Sequence, residues 1–172
     1  MIVMTKYYNI PGNFTQQEKE TFIELIDDFR VLSADFNPEN NIAYRKKSIF
    51  TDTQIISFYE LAVGDLNSGL PRTNFTALAF GMSQDRSLLV LSAVIFSLIS
   101  EGILHTRNNV SYNDNGLSVN MFNKGPELQS WAGFLLNTYL QRKADFKRSI
   151  VLQKVNAGFS GVASEYFWNG VY

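Results

Sequence analysis

The chain has 172 residues, a length that suits one domain built on a single hydrophobic core. Apolar residues make up 45% and charged residues 18%, which excludes a disordered chain and leaves little charge for a free-standing domain, so part of the surface is expected to be covered by something other than water. Lys and Arg number 15 against 16 Asp and Glu, a net charge of −1 that argues against both a strongly basic nucleic-acid binder and an acidic tail protein.

The chain has no cysteine, so disulfides, iron–sulfur clusters, thiol catalysis and Cys-type zinc sites are all excluded. A single histidine, His105, leaves almost no means of building a transition-metal site. These subtractions point to a non-enzymatic structural or interaction protein with no cofactor and no metal. The first residues, MIVMTKYYNIPGNF, lack a long apolar run and a small-residue cleavage pattern, so no secretory signal is read and a cytosolic origin is expected. Residues 88–99, LLVLSAVIFSLI, are the most apolar stretch, but 12 to 14 residues rise only about 18–21 Å as a helix against a hydrocarbon thickness of about 30 Å. A helix buried in a core or a subunit interface is expected there, not a membrane span.

The first helix is predicted to start at a Thr15-x-x-Glu18 capping box, with Phe22, Leu25, Ile26, Phe29 and Leu32 on its apolar face, and to end by Phe36. Residues 38–50, with the basic cluster Arg45-Lys46-Lys47, read as a loop. A second box, Thr51-x-x-Gln54, opens a helix whose apolar face is Ile55, Phe58, Tyr59, Ala62 and Leu66, and the breakers Gly69 and Pro71 follow it. The third helix is expected from about Ser83 to His105. Residues 109–122 alternate apolar and polar on both sides of Asn113-Asp114-Asn115-Gly116, which predicts a β-hairpin because Asn-Gly tolerates the positive φ of a tight turn.

A fourth helix should begin at Gly125-Pro126-Glu127 and present Leu128, Trp131, Leu135, Tyr139, Phe146 and Ile150 along one face, a rod of about 40 Å. The fold class is therefore mainly α, a bundle of about four helices with one hairpin. The organisation expected is a helical domain over 1–157 and an extended aromatic C-terminal arm over 158–172. Four aromatics stand among the last seven residues, and Phe159, Tyr166, Phe167, Trp168 and Tyr172 are candidates to dock on a neighbouring subunit, large rings giving contact area at low entropy cost.

Chemistry is sparse. Glu101 and His105 have the i, i+4 spacing of a carboxylate-oriented base, but they equally make a pair at the negative end of the third helix. Gly158-Phe159-Ser160-Gly161-Val162 fails the nucleophile-elbow pattern at its last position. Asp27, Asp28 and Asp35 could suggest a divalent cation, yet consecutive acids on a helix diverge, and a solvated surface is expected. Charge is divided: residues 1–70 hold 6 basic and 10 acidic side chains, and residues 71–172 hold 9 and 6. The excess on the fourth helix, Arg142, Lys143, Lys147, Arg148 and Lys154 against Asp145, could compensate the helix dipole, meet an acidic protein surface or meet nucleic-acid phosphates. Acidic and basic halves also suit head-to-tail packing of identical subunits.

The order of features resembles a known group. An N-terminal helix is followed by one ending in Asp65-Leu66-Asn67-Ser68-Gly69, with Pro71 and Asn74-Phe75 behind it. A long apolar helix, the hairpin segment from Val110 to Val119 and a long helix bearing Phe146-Lys147-Arg148 complete the series. Over roughly residues 15–155 this is similar to virion structural proteins of tailed bacteriophages, above all the head-to-tail connector, or neck adaptor, group. The resemblance implies a subunit of a homo-oligomeric ring, commonly of twelve copies, assembled in the host cytoplasm into the virion. Such a ring contacts the portal protein and tail or neck proteins and passes packaged DNA without reading its sequence or entering a membrane. It carries no catalytic residues over. Arg142, Lys143, Lys147 and Arg148, with the arm aromatics, are the expected interface residues. Other virion rings, such as a tail terminator or baseplate component, and a DNA-binding or packaging protein remain as alternatives.

Overall fold

The computed structural model describes residues 15–35, 48–107, 111–114, 117–120 and 124–168. Among them the chain is mainly helical, with α1 (Gln16–Leu32), α2 (Asp52–Asn67), α3 (Ala77–Gly81), α4 (Arg86–Arg107) and α5 (Gly125–Trp168). Two four-residue strands, β1 (Ser111–Asp114) and β2 (Leu117–Asn120), form an antiparallel ladder with Tyr112 opposite Val119. The hairpin expected over 109–122 is not established by these strands, since its turn at Asn115-Gly116 and residues 109–110 and 121–122 lie outside the described residues, as do residues 36–47 of the polar loop.

Both capping boxes form. Glu18 N–H donates to Thr15 Oγ1 and Thr15 N–H returns to Glu18 Oε2 at 2.8 Å; Thr51 and Gln54 repeat the exchange. Each box satisfies two backbone donors that a helix start leaves without partners, which is why these starts are specific. The helix α1, expected to end by Phe36, stops at Leu32, because Ala34 takes a left-handed φ of 59° and turns Asp35 inward. The Asp35 carboxylate is fully buried, where it pairs with Arg30 at 3.1 Å and accepts the backbone N–H groups of Ile49 and Phe50. Arg30 in turn reaches Asp52 at 2.7 Å and the Phe50 carbonyl. Asp35 is therefore neither on a solvated helix surface nor a cation ligand, but part of a buried ion network tying the end of α1 to the start of α2.

The helix α3 is not anticipated from the sequence, since five residues are too few for a periodic signal; its start is capped by Thr76, whose side chain accepts from Ala79 N–H. Gly81 closes it against α1. A Cβ there would stand 2.8 Å from the Thr21 methyl and 3.1 Å from Leu25 Cδ1, both on buried side chains. Gly81→Ala is expected to lower stability by about 1–3 kcal/mol, as overpacking does in a filled core. A urea-unfolding midpoint indistinguishable from wild type would refute that packing.

The central element is α4. It packs against α1, α2 and α5, with Leu88 to Ile95 buried without interruption. By length and composition it could cross a membrane, with a mean hydropathy of 2.1 over its most apolar window, but more than half of that window is covered by the other helices. The run is apolar on all sides because it has neighbours on most sides. The core joins it to Phe22, Leu25, Ile26 and Phe29 of α1 and to Ile55, Tyr59, Ala62 and Leu66 of α2. Tyr59 donates its hydroxyl to the Leu25 carbonyl at 2.6 Å, so the largest fully buried side chain leaves no polar atom unpaired.

Helix α5 lies antiparallel to α4. Gly102, late in α4, sits against Gly125 and Leu128, whereas Arg142 donates to Ser87 in the first turn of α4 at 2.7 Å. Beyond that turn Phe146 packs with Phe75 and Phe80, ring centroids 6.1 and 5.5 Å away. The expected extended arm over 158–172 is corrected, because the backbone stays helical through residue 157 and on to Trp168. Gly158 and Gly161 each cost only about 1 kcal/mol in a helix, and no proline follows to end it. At 1.5 Å per residue the 44-residue helix is about 66 Å long.

Candidate functional site

The second half of α5 carries both the basic cluster and an apolar surface. Sequence periodicity assigns Trp131 to the core face, but Trp131 is 63% exposed and Ala132, one residue on, is buried. The buried line is Ala132, Leu135, Tyr139, Phe146 and Ile150, spaced at three, four or seven residues, and Trp131 stands about 100° away from it. A second line, Leu136, Leu140, Ala144, Val151 and Val155, follows the same helical repeat and is exposed. That stripe was legible as a second apolar periodicity, hidden only by the cations between its members.

The cations divide by use. Lys143 pairs with Asp65 at 2.8 Å and lies 5.8 Å above the Tyr139 ring, while Tyr139 donates its hydroxyl to the same carboxylate. Asp65 sits in the last turn of α2, where a carboxylate opposes the helix dipole, and Lys143 offsets that from another helix. Burial, and next the Asp65 carboxylate, push the Tyr139 phenol well above the usual tyrosine range. Lys147 is buried and donates to the Pro71 carbonyl at 2.9 Å and to Thr73 Oγ1 at 3.2 Å. Burial lowers its ammonium below the usual lysine range, Lys143 adds to the effect and Asp65 opposes it. Asn67 completes this clamp by accepting from Thr73 and from the Phe75 N–H, so the loop after α2 is held to α2 by Asn67 and to α5 by Lys147.

Three of the expected interface cations, Arg142, Lys143 and Lys147, thus hold α5 to its own bundle. Arg148 differs: its side chain is 77% exposed and meets only Asp145, at 3.4 Å and equally open to water. Compensation of the helix dipole is not their role, because the helix ends twenty residues later and that effect fades within one turn. Phe159, Tyr166, Phe167 and Trp168 lie on the last turns of α5, and Tyr172 lies outside the described residues.

Between α5 and the loop after α2 runs an open groove of about 630 Å³, lined by Leu70, Pro71, Leu140, Val151 and Leu152, with Lys143, Lys147 and Arg148 along it. Gly69, at φ +78°, turns the chain so that Leu70 stands out beside the groove. Among the described residues no carboxylate lines it. Elsewhere Glu101 and His105 meet at 3.7 Å near the end of α4, as the pair expected at the negative end of that helix. Among the described residues no group of three or more His, Asp or Glu is placed to hold a metal ion.

Comparison with protein-family models, with curated proteins and with solved structures finds no match to this chain. The functional reading therefore rests on the groove, the uncovered stripe of α5 and the order of features along the chain.

Proposed function

We propose that the chain is a non-enzymatic structural subunit of a tailed-phage virion that assembles with its own copies into a ring of the neck, joining portal and tail around the DNA channel. The observation that carries this reading is the uncovered apolar length of α5. Leu140, Val151, Leu152 and Val155 are exposed along a 44-residue helix, with Trp131 and Phe134 exposed nearer its start. Apolar surface in a continuous strip is the mark of a contact with protein. The hairpin with its turn at Asn115-Gly116, and the docking of the terminal aromatics on a neighbour, belong to the same proposal. The ring is expected at the portal vertex, with no membrane and no cofactor in its assembly.

The test begins with the mass of the purified chain by light scattering across a hundredfold range of concentration, followed by incubation with DNA-filled, portal-bearing heads. A discrete oligomer, or a monomer that becomes an oligomer on the portal, is the expected result. A chain that stays at 19.5 kDa under every condition and leaves the heads unchanged would end this reading. The exposed guanidinium of Arg148 favours duplex DNA as a second reading. Binding at low salt that weakens steeply as salt rises would support it.

A further inference from the structure

We infer that the cation-lined groove of α5 is one half of a head-to-tail contact, and that its occupant is the acidic, apolar flank of α1 and α4 on a second copy of this chain. The inference rests on the reading of the chain as a self-assembling subunit and goes beyond it by naming the two faces. The first face is the groove, with Leu70, Leu140, Val151 and Leu152 exposed and the open guanidinium of Arg148 supplying positive charge beside them.

The second face is a smaller hollow where α1 ends beside the start of α4, lined by Val31, Leu32 and Val90 with Asp28 and Ser87. Val31 is 66% and Leu32 49% exposed, unusual for aliphatic side chains side by side on a short helix. Its surroundings are acidic: Glu20, Glu24, Asp27 and Asp28 stand on α1, and Arg86 answers Glu24 and Asp28. The α5 segment 140–155 carries five basic residues and one acid, three of the bases being bonded within their own bundle, whereas α1 carries five acids and two bases, with Arg86 answering two of the acids, so a net positive face and a net negative face remain. An apolar centre with opposite charge around it is complementary in both terms that fix a protein contact, burial and register.

The two faces share no residue and no helix, since one is built from α5 and the loop after α2 and the other from α1 and α4. One copy can therefore offer both at once. A contact between unlike faces repeats from copy to copy and closes into a ring if the rotation permits, where a contact between like faces would stop at a dimer.

The experiment uses full-length variants altered at one exposed position each. Leu152→Asp puts a carboxylate and no apolar area in the groove; Val31→Asp does the same in the hollow. Each alone is expected to reduce the wild-type oligomer to a single chain of 19.5 kDa, with helical circular dichroism and the melting transition retained. Mixed in equal amounts, the two are expected to form a species of twice the chain mass, because each keeps the face the other has lost. Arg148→Glu, which removes no apolar group, serves as a second groove variant and should weaken assembly at least tenfold, more at low salt than at high.

Wild-type oligomers that persist in both aspartate variants would overturn the assignment of these faces and leave self-assembly standing. So would monomeric variants that do not combine on mixing, since that is the behaviour of a contact between like faces. A wild-type chain that never assembles would overturn both readings. A groove that binds duplex DNA through Arg148 while assembly survives Leu152→Asp would assign it to nucleic acid instead.

Discussion

Replacing Asp35 by alanine is expected to lower stability by about 3–5 kcal/mol, the cost of leaving part of a buried ion network without its partner. The carboxylate is completely shielded from water, pairs with Arg30, and accepts the Ile49 and Phe50 N–H groups. Its removal leaves two backbone donors short of an acceptor and a mostly buried guanidinium with only Asp52 and a carbonyl to meet. Asp35→Asn should cost less, because an amide oxygen still accepts one N–H. Asp52→Ala should cost less again, since Asp52 is partly solvated and Arg30 would keep Asp35. Urea unfolding of the three variants gives the order directly. If the alanine variant falls within about 1 kcal/mol of wild type, the network contributes little and the turn at Ala34 is held by packing alone.

Alkaline pH supplies the second large effect. The Tyr59 phenol is raised far above its ordinary range, first by burial and next by Asp28, with Arg86 opposing; Tyr139 is raised by burial and by Asp65. In the unfolded chain a phenol releases its proton near pH 10. Below that pH both states hold the proton, and the full stability is present. Above it the unfolded chain releases protons that the fold retains, so stability falls as pH rises, by about 1 kcal/mol per pH unit for each buried phenol. Lys147 works the other way and at lower pH, because its folded state gives up a proton before its unfolded state does, so stability rises with pH until the unfolded lysine titrates at about pH 10.4. Lys147→Met should therefore remove that rise and leave the later loss in place. Tyr59→Phe should flatten it, at a neutral-pH cost of about 1 kcal/mol for the lost hydrogen bond to Leu25. Phenolate absorbance followed together with the urea midpoint between pH 9 and 12 measures both quantities. A midpoint that does not fall over that interval, or that falls as steeply in Tyr59→Phe and in Tyr139→Phe as in wild type, would show that neither phenol is protected by the fold.

Both effects arise at joints between elements, which is where sequence reading is weakest here. The buried ion network links residues 30, 35 and 52, and the α2–α5 clamp links Asp65 to Tyr139 and Lys143. Neither separation has a pattern that a sequence read along its length reveals. The clamp also changes the meaning of the basic cluster. Arg142, Lys143 and Lys147 read as a surface for a partner, yet Lys143 and Lys147 are turned inward by the helix repeat that places Tyr139 and Phe146 in the core, and Arg142, though exposed, bonds Ser87 of α4. Arg148 keeps the outward position because it falls opposite that line. Trp131 is displaced by the same geometry: one residue of phase separates a core ring from an exposed one.

By itself the sequence determined the helical class, the starts of α1 and α2 and their apolar faces. Each of these depends on residues no more than four apart, so the necessary chemistry is contained in the segment: a threonine oxygen three residues before a backbone donor, and side chains repeating at the helical period. The excess of apolar residues over what one small core can hold was legible in the same way. Only the tertiary structure decided where α1 stops, that Asp35 is buried, which face of α5 meets the bundle and that a groove lies beside Leu70. Those features are set by energies of burial and ion pairing between residues far apart in the chain, and they outweigh local propensities of a few tenths of a kcal/mol.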